Sequence, residues 1–429
     1  MFGFANFLLL ALFAAAVFDL IFALARGSGL RGALHGLWNT PHLLFGQQLA
    51  EWRLQLGRIL FAAGLAAYEI SVVFCNSMAR QNWAWVQGVM SPVLEWLAFL
   101  CFGAKILFGT RYTWRELLAG GALYFIARWV YFNSQNIWWI GIVVAVLAAK
   151  DVPLRRPLQV YFASGCAAMA VVLALHFAGI VAPDLTSERM GALRGTYGYG
   201  HPNTFGGLVF GLVLAYALLR AQKVRWVDCL LAFAVGMFLL VGPASRSAAL
   251  CTLALAVGLV FCRLRAGHSV PRWWPGTCAG MVGLTAAVSY LLPLLVIKVG
   301  PWNNDIGPAW LAKLDSLLTC RISLTWMAYR LLDVKIAGQV FNWPTVDNSF
   351  AFALFQFGPV VAALLGILFA AALWGHAKQG RRVEVCCLFA MLAYAYMEVQ
   401  PFHLTTNPTA LLLCGAVFAQ TSARWQKIE

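Results

Sequence analysis

Long apolar stretches alternate with short polar connections along almost the whole chain. The apolar runs cover roughly 4–25, 58–77, 86–108, 117–132, 137–149, 158–182, 204–219, 228–243, 247–262, 276–297, 350–374, 385–399 and 408–420. A backbone in hydrocarbon must satisfy its own N–H and C=O groups, and a run of about twenty apolar residues is the length of a helix that crosses a bilayer. The pattern predicts an all-α polytopic integral membrane protein with about 12–14 transmembrane helices. It reads as a single membrane-embedded domain over 1–429, with no internal repeat and no soluble domain. The first run lacks a basic segment before it and is long for a signal-peptide core. Although Ala23-Leu24-Ala25 resembles a cleavage site, the run reads as a retained helix.

Charge then orients the spans. The chain is 62% hydrophobic and 11% charged, with a net charge of +15. That excess of cations does not point to nucleic acid, because Lys and Arg fall mainly in short loops between spans, where they set orientation. Loops with Lys150/Arg155/Arg156, Arg220/Lys223/Arg225, Arg263/Arg265/Arg272 and Lys378/Arg381/Arg382, and the tail with Arg424 and Lys427, are predicted to be cytoplasmic. The alternate connections then face outward: about 183–203, the turn near 243–247, the segment 298–348 and the loop 400–407. The stretch 27–56, flanked by Arg26, Arg31 and Arg53, is too polar to span, so the side of the N-terminus stays open.

The long outer segment is predicted to be partly helical. Trp310, Leu311, Leu314, Leu317 and Leu318, then Ile322, Trp326, Met327 and Leu331, recur at helical spacing, as in amphipathic helices that lie on a membrane or cap a cavity. Of the eleven cysteines, almost all lie inside apolar runs, where they read as small packing residues.

Four short motifs share the predicted outer face: Arg194 through Asn203, Ser245-Arg246-Ser247, Cys320-Arg321-Ile322-Ser323, and Val346-Asp347-Asn348-Ser349. Arginine is scarce on that side of membrane proteins, so a cluster there points to an anion. Arg194 lies beside Gly191, Gly195, Gly198 and Gly200, where the backbone can turn tightly; its planar guanidinium suits phosphate, and a solvated contact with lipid head groups is the plainer reading. Asn203 is expected to cap the helix that follows, and His201 serves structure or chemistry equally well. Arg246 sits in a turn tight enough to dip below the membrane surface, where it either faces a cavity or snorkels. Arg321 and Arg330, nine residues apart, fall on opposite sides of one helix at about 100° per residue. Arg330 has Asp333 close by for an ion pair, which leaves Arg321 for the site. Asp347 is either an N-cap carboxylate or a general base for a hydroxyl nucleophile.

In this order the motifs resemble the family of O-antigen ligases and Wzy-type polysaccharide polymerases, and the polymerases more closely. The resemblance runs from about Leu185 to Gly358. It consists of Arg194 followed by Gly198-Tyr-Gly-His-Pro-Asn203, Ala244-Ser-Arg-Ser-Ala248, Arg321-Ile322, Asp347-Asn-Ser-Phe350, and Phe357-Gly358. It implies a metal-independent, inverting glycosyltransferase without cofactors, in the cytoplasmic (inner) membrane of a bacterium, acting on its outer or periplasmic face. The donor implied is an oligosaccharide on undecaprenyl pyrophosphate and the acceptor a second lipid-linked unit, with a chain-length regulator as a further partner beside membrane lipids. Ligases usually carry histidine before the asparagine of the last motif; here that position is Asp347.

On this reading Arg194, Arg246 and Arg321 hold the pyrophosphate, which needs cations as its bond to the anomeric carbon breaks. Asp347, or else His201, takes the acceptor proton, and Asn203 and Asn348 contact sugars or cap helices. No external carboxylate cluster suited to Mg²⁺ is evident. The 18 Trp could stack on sugars, though most read as interface-belt residues. Two other classes compete. A polyprenyl-phosphate-sugar transferase usually shows acidic residues in the first outer loop, and none is convincing. A transporter or flippase could use Asp19, Glu69, Glu95 and Glu398, which lie in or near spans. The lack of a repeat and the gathering of arginines on one face count against it.

Overall fold

The computed structural model describes residues 2–26, 29–181, 187–189, 192–297 and 307–418. Gly191, residues 298–306 at the start of the long outer segment, and the tail with Arg424 and Lys427 lie outside them. Within the described residues the protein is a bundle of α-helices, with only two short antiparallel ladders: β1 (His42–Leu43) on β2 (Arg111–Tyr112), and β3 (Ser187–Arg189) on β4 (Ala192–Arg194).

The helices of the first half are α1 (Phe2–Ala25), α2 (Leu30–Asn39), α3 (Ala50–Cys75), α4 (Ala79–Asn82), α5 (Ser91–Phe108), α6 (Trp114–Ser134), α7 (Ile137–Ala148) and α8 (Arg155–Phe177). The second half supplies α9 (Pro202–Leu219), α10 (Trp226–Val241), α11 (Arg246–Leu264), α12 (Trp274–Leu291), α13 (Ala309–Leu317), α14 (Arg321–Leu331), α15 (Ser349–Phe352), α16 (Pro359–Lys378), α17 (Arg382–Met397) and α18 (Cys414–Val417). Eight stretches among the described residues are long and apolar enough to cross a membrane, and three shorter apolar helices accompany them. The chain is therefore an all-α, membrane-embedded protein.

This count is smaller than the apolar runs alone suggest, for physical reasons visible in two places. Helix α7 has 12 residues, about 18 Å at 1.5 Å per residue, and everything from Trp139 to Ala148 is buried. The segment Pro408–Val417 is likewise apolar and short, its first turns are 3₁₀, and it is buried from Pro408 to Cys414. Both runs are apolar and largely buried against protein, so composition alone does not mark them as lipid-facing spans. The run at 350–374 keeps one span but starts it later than the apolar pattern suggests. Helix α15 passes into a π-helical turn at Ala353–Phe357, the chain breaks at Gly358 (φ 87°), and α16 starts afresh at Pro359. A Cβ at Gly358 would lie 2.1 Å from the Ile336 carbonyl oxygen, so only glycine lets the connection before it pass.

Helix α3 begins at Ala50, eight residues before the apolar run. Its first turns carry Arg53, whose guanidinium donates to the carbonyls of Phe108 (2.9 Å), Gly46 (2.8 Å) and Leu44 (2.6 Å) and so ties the polar stretch 40–49 to the end of α5. Packing proceeds from α3 against α5 and α8, α8 on α9, α9 on α11, α11 on α10 and α17, and α12 on α16. Phe210 of α9 and Tyr394 of α17, 4.9 Å between ring centroids, mark the core where these helices meet. Helix α1 is peripheral: 17% of its spanning window is buried, and Leu10, Phe13 and Ile21 are exposed, as suits a lipid-facing helix.

Candidate functional site

Residues from four distant connections meet at one end of α9, α11 and α17. Helix α9 opens with His201 as its N-cap: the Nδ1 atom accepts from the Asn203 N–H at 3.1 Å. Asn203 was the expected cap; because the histidine ring takes that place, its own amide is released to face the neighbouring connections. Asn203 Oδ1 accepts from Arg194 Nη2 at 2.9 Å and from Ser245 Oγ at 3.4 Å, while Asn203 Nδ2 donates to Glu398 Oε1 at 3.0 Å. Gly206 and Gly207, one turn along, make room for this convergence. A Cβ on Gly206 would fall 2.2 Å from Ser245 Oγ, and one on Gly207 would fall 1.9 Å from Gln400 Oε1.

Arg194, the last residue of β4, is buried and also donates to the Ala244 carbonyl at 3.3 Å. It thereby joins the hairpin to the turn between α10 and α11. Arg321 enters from the opposite side at the start of α14. Its position is fixed by Asp315 of α13, which is fully buried and whose Oδ1 accepts from the backbone N–H groups of Ile322 (2.8 Å) and Ser323 (3.1 Å). That carboxylate supplies the cap that Cys320, held in a left-handed conformation, does not.

Arg321 is 8% exposed and donates from Nη2 to Glu398 Oε1 at 2.5 Å and from Nη1 to the Leu318 carbonyl at 3.0 Å. Its Nε is buried without a hydrogen bond among the described residues and lies 3.9 Å from Asp347 Oδ2. A buried N–H beside a carboxylate it does not bond is suited to a hydroxyl oxygen that bridges the two from the side. Arg330, at the far end of the same helix, is exposed and lies over the Trp326 ring at 5.4 Å. The two arginines thus share one helix and occupy opposite faces.

Glu398 is the hub of the cluster. It follows the last turn of α17, is 5% exposed, and faces Arg321, Asn203 and the Ser247 hydroxyl. Burial lifts its carboxyl to about 7, against the opposing pull of Arg321, with Asp347 adding to the rise. Asp347, its side chain 31% exposed, is also raised by burial, while Arg321 and His201 pull it down. His201 and Asp347 are therefore electrostatic neighbours. Asn348, not Asp347, caps α15. Its Oδ1 accepts from the N–H groups of Phe350 (2.9 Å) and Ala351 (3.1 Å), and its Nδ2 donates to Ser289 Oγ and the Tyr396 carbonyl. Its amide is committed to structure, and Asp347 is left for other work.

Arg246 differs from the other arginines: it is exposed at the first position of α11, while Ser245 and Ser247 on either side are buried and turn toward Asn203 and Glu398. The structure brings together Arg194, Asn203, Arg321, Asp347 and, at the edge, His201. Ser245 and Ser247 carry their motif into the cluster. In the sequence Glu398 stands out only as a carboxylate in or near a span. Its signal was a charged residue closing an apolar run before Val399-Gln400-Pro401. Of the other three carboxylates in that group, Asp19 lies 3.5 Å from His42.

Among the described residues no group of three or more His, Cys, Asp or Glu side chains is placed to hold a metal ion. Set against protein-family models, curated proteins and solved structures, the chain has no match. The functional reading therefore rests on its own residues.

Proposed function

We propose that the protein is a membrane glycosyltransferase of the polysaccharide-polymerase type, which transfers a glycan from undecaprenyl pyrophosphate to a hydroxyl of a second lipid-linked unit. The observation that carries this reading is the pair of buried arginines, Arg194 and Arg321, linked through Asn203 and Glu398, with Asp347 beside them. Two preorganised guanidinium groups at one partly enclosed site suit the charge that develops on a departing pyrophosphate.

The acceptor oxygen attacks the anomeric carbon as the carbon–oxygen bond to pyrophosphate breaks. Its proton passes to Asp347, whose raised pKa makes it a better base than an ordinary surface carboxylate; His201 is the second choice. Attack opposite the leaving group inverts the anomeric centre, and the mechanism needs no metal. An apolar pocket between α12, α16 and α17, with Tyr290, Phe350, Leu365 and Phe369 on its wall, reaches Ser349, whose hydroxyl donates to the Glu398 carbonyl at 2.5 Å. A polar site next to an apolar recess suits an amphiphilic donor. The site faces outward from a bacterial cytoplasmic membrane on this reading, with membrane lipids and a chain-length regulator as partners.

The test is a reaction of purified protein with the matching undecaprenyl-pyrophosphate repeat unit in EDTA, read as a glycan ladder on a gel. A ladder made by wild type and lost in Arg321→Lys and Asp347→Asn variants of unchanged fold supports the proposal. No ladder from wild type with authentic substrate sinks it.

A further inference from the structure

A separate cavity lies far from this site. It measures about 730 Å³ and lies among the ends of α8, α9, α11, α16 and α17. Helices α9, α11 and α17 carry site residues at one end (Asn203, Ser247, and Glu398 just beyond the helix) and cavity residues at the other (Arg220, Arg263, Arg382). Sixteen to nineteen residues of helix separate the ends, or roughly 25 Å, close to the thickness of a hydrocarbon core. The cavity therefore sits at the opposite face of the bundle.

Among the described residues six cations line it, Arg155, Arg220, Lys223, Arg263, Arg381 and Arg382, with Glu384 as the one carboxylate on its wall. Asp228 compensates Arg220 from outside the wall at 3.2 Å. Orientation in a membrane requires cations on this side but does not require them to converge on one concavity, where their mutual repulsion opposes folding. The wall is also built: Arg382 Nη1 donates to the Arg265 carbonyl at 2.6 Å and Nη2 to the His268 carbonyl, which holds the loop after α11 against the start of α17. His376, also on the wall, is 9% exposed, and its Nδ1 is buried without a hydrogen-bond partner among the described residues. Leu158, Leu218 and Leu412 supply apolar lining.

We infer that this cavity binds an anionic ligand carrying two phosphate groups, presented either by a lipid headgroup or by a soluble diphosphate. The number of cations exceeds what one phosphate can pair with, and the volume lies in the range of small-ligand sites. Basic pockets between membrane helices commonly take such headgroups. The inference is independent of the proposed reaction.

The experiment titrates purified protein in zwitterionic detergent with diphosphatidylglycerol, with sodium pyrophosphate, and with phosphatidylcholine as the neutral control, reading retained ligand by native mass spectrometry. Saturable binding of one of the two phosphate probes is expected, weakened about fivefold by each of Arg155→Gln, Arg263→Gln and Arg381→Gln and more than additively strained in none. The probe that binds identifies the source. Arg272→Gln and Lys378→Gln, which neutralise cations outside the cavity wall, should leave binding unchanged. Binding of neither probe, or equal weakening by the outside substitutions, overturns the proposal. Each variant's Tm without ligand shows that it is folded, and the three single substitutions keep the test intact if a combined variant is not.

Discussion

The two ends of α9, α11 and α17 treat positive charge in opposite ways. At the Asn203 end, Arg321 and Arg194 are buried and each has a fixed polar partner: Glu398 for one, Asn203 for the other, with Glu398 and Asn203 bonded to each other. At the Arg220 end, Arg220 pairs with Asp228 and Arg382 is held by backbone carbonyls, and the other cations stand around an open volume with, among the described residues, a single carboxylate on its wall. The first arrangement is a chain of short contacts, so removing one member leaves others buried and unsatisfied. The second is a field, to which each cation adds its own modest share. Substitutions at the first end should therefore be severe and strongly coupled, and those at the second mild and additive.

The largest effect is expected at Arg321. Truncation to alanine strands Glu398 in a buried position, at a cost of about 3–5 kcal/mol in stability, and lowers turnover by roughly 10²–10³-fold. Pairing Arg321→Met with Glu398→Leu should recover much of the stability and none of the activity. Thermal unfolding in detergent and the glycan ladder, read over the full double-mutant cycle, measure both. Equal and additive losses of Tm would show that the two ends do not differ in the way described.

Next comes Asp347→Asn, with turnover reduced by about 10²–10⁴-fold and Tm essentially unchanged. The separation of the two readouts follows from Asn348, which holds the helix cap that Asp347 does not. His201→Ala decides the base. A loss equal to that of Asp347→Asn moves the assignment to the histidine, whereas a smaller one leaves it a cap and electrostatic neighbour.

These residues also show how much of the molecule could be read from the chain. The membrane class and most helix positions follow from apolar runs, because hydrocarbon enforces a simple rule on the backbone. Where the rule fails, as at α7 and Pro408–Val417, most of the segment is buried against protein, and composition does not distinguish that from lipid. The helices of the long segment were visible in the spacing of Leu311, Ile322 and Trp326, and so was the division between Arg321 and Arg330. Glu398 was not assigned to the site because its partners lie 77 and 195 residues away in sequence. Local spacing carries no information about such pairs. The same limit explains Asn203 and Asn348, two asparagines at helix starts of which only the second is the cap. Arg194, Arg321 and Asp347, far apart in sequence, lie within one chain of contacts through Asn203 and Glu398.

A smaller effect is expected with pH. Glu398 bonds Arg321 and Asn203 as a carboxylate, and burial has raised its pKa to about 7. Protonation as pH falls through that value removes the negative charge that holds Arg321, so turnover should decline on the acid side of about 7. In Glu398→Gln the residual activity should lose this inflection. A wild-type acid limb that persists unchanged in the variant would assign the titration to Asp347, whose pKa is raised as well.

The smallest effect is expected at Arg246, and it bears most directly on the comparison. Its motif first suggested a pyrophosphate ligand, yet Arg246 is exposed while Ser245 and Ser247 reach Asn203 and Glu398. An exposed guanidinium is screened by water and salt, so its attraction for a bound diphosphate is worth on the order of 1 kcal/mol, about fivefold in affinity. Arg246→Gln should therefore raise KM by roughly that factor with kcat little changed, and the difference from wild type should shrink as salt is added. Arg194→Gln should lower kcat instead, because the buried arginine is part of the preorganised cluster. If Arg246→Gln abolishes kcat and leaves KM alone, the site extends past the buried chain of contacts. The division between a compensated end and an open one would then have to be redrawn with a substrate-facing cation on the rim.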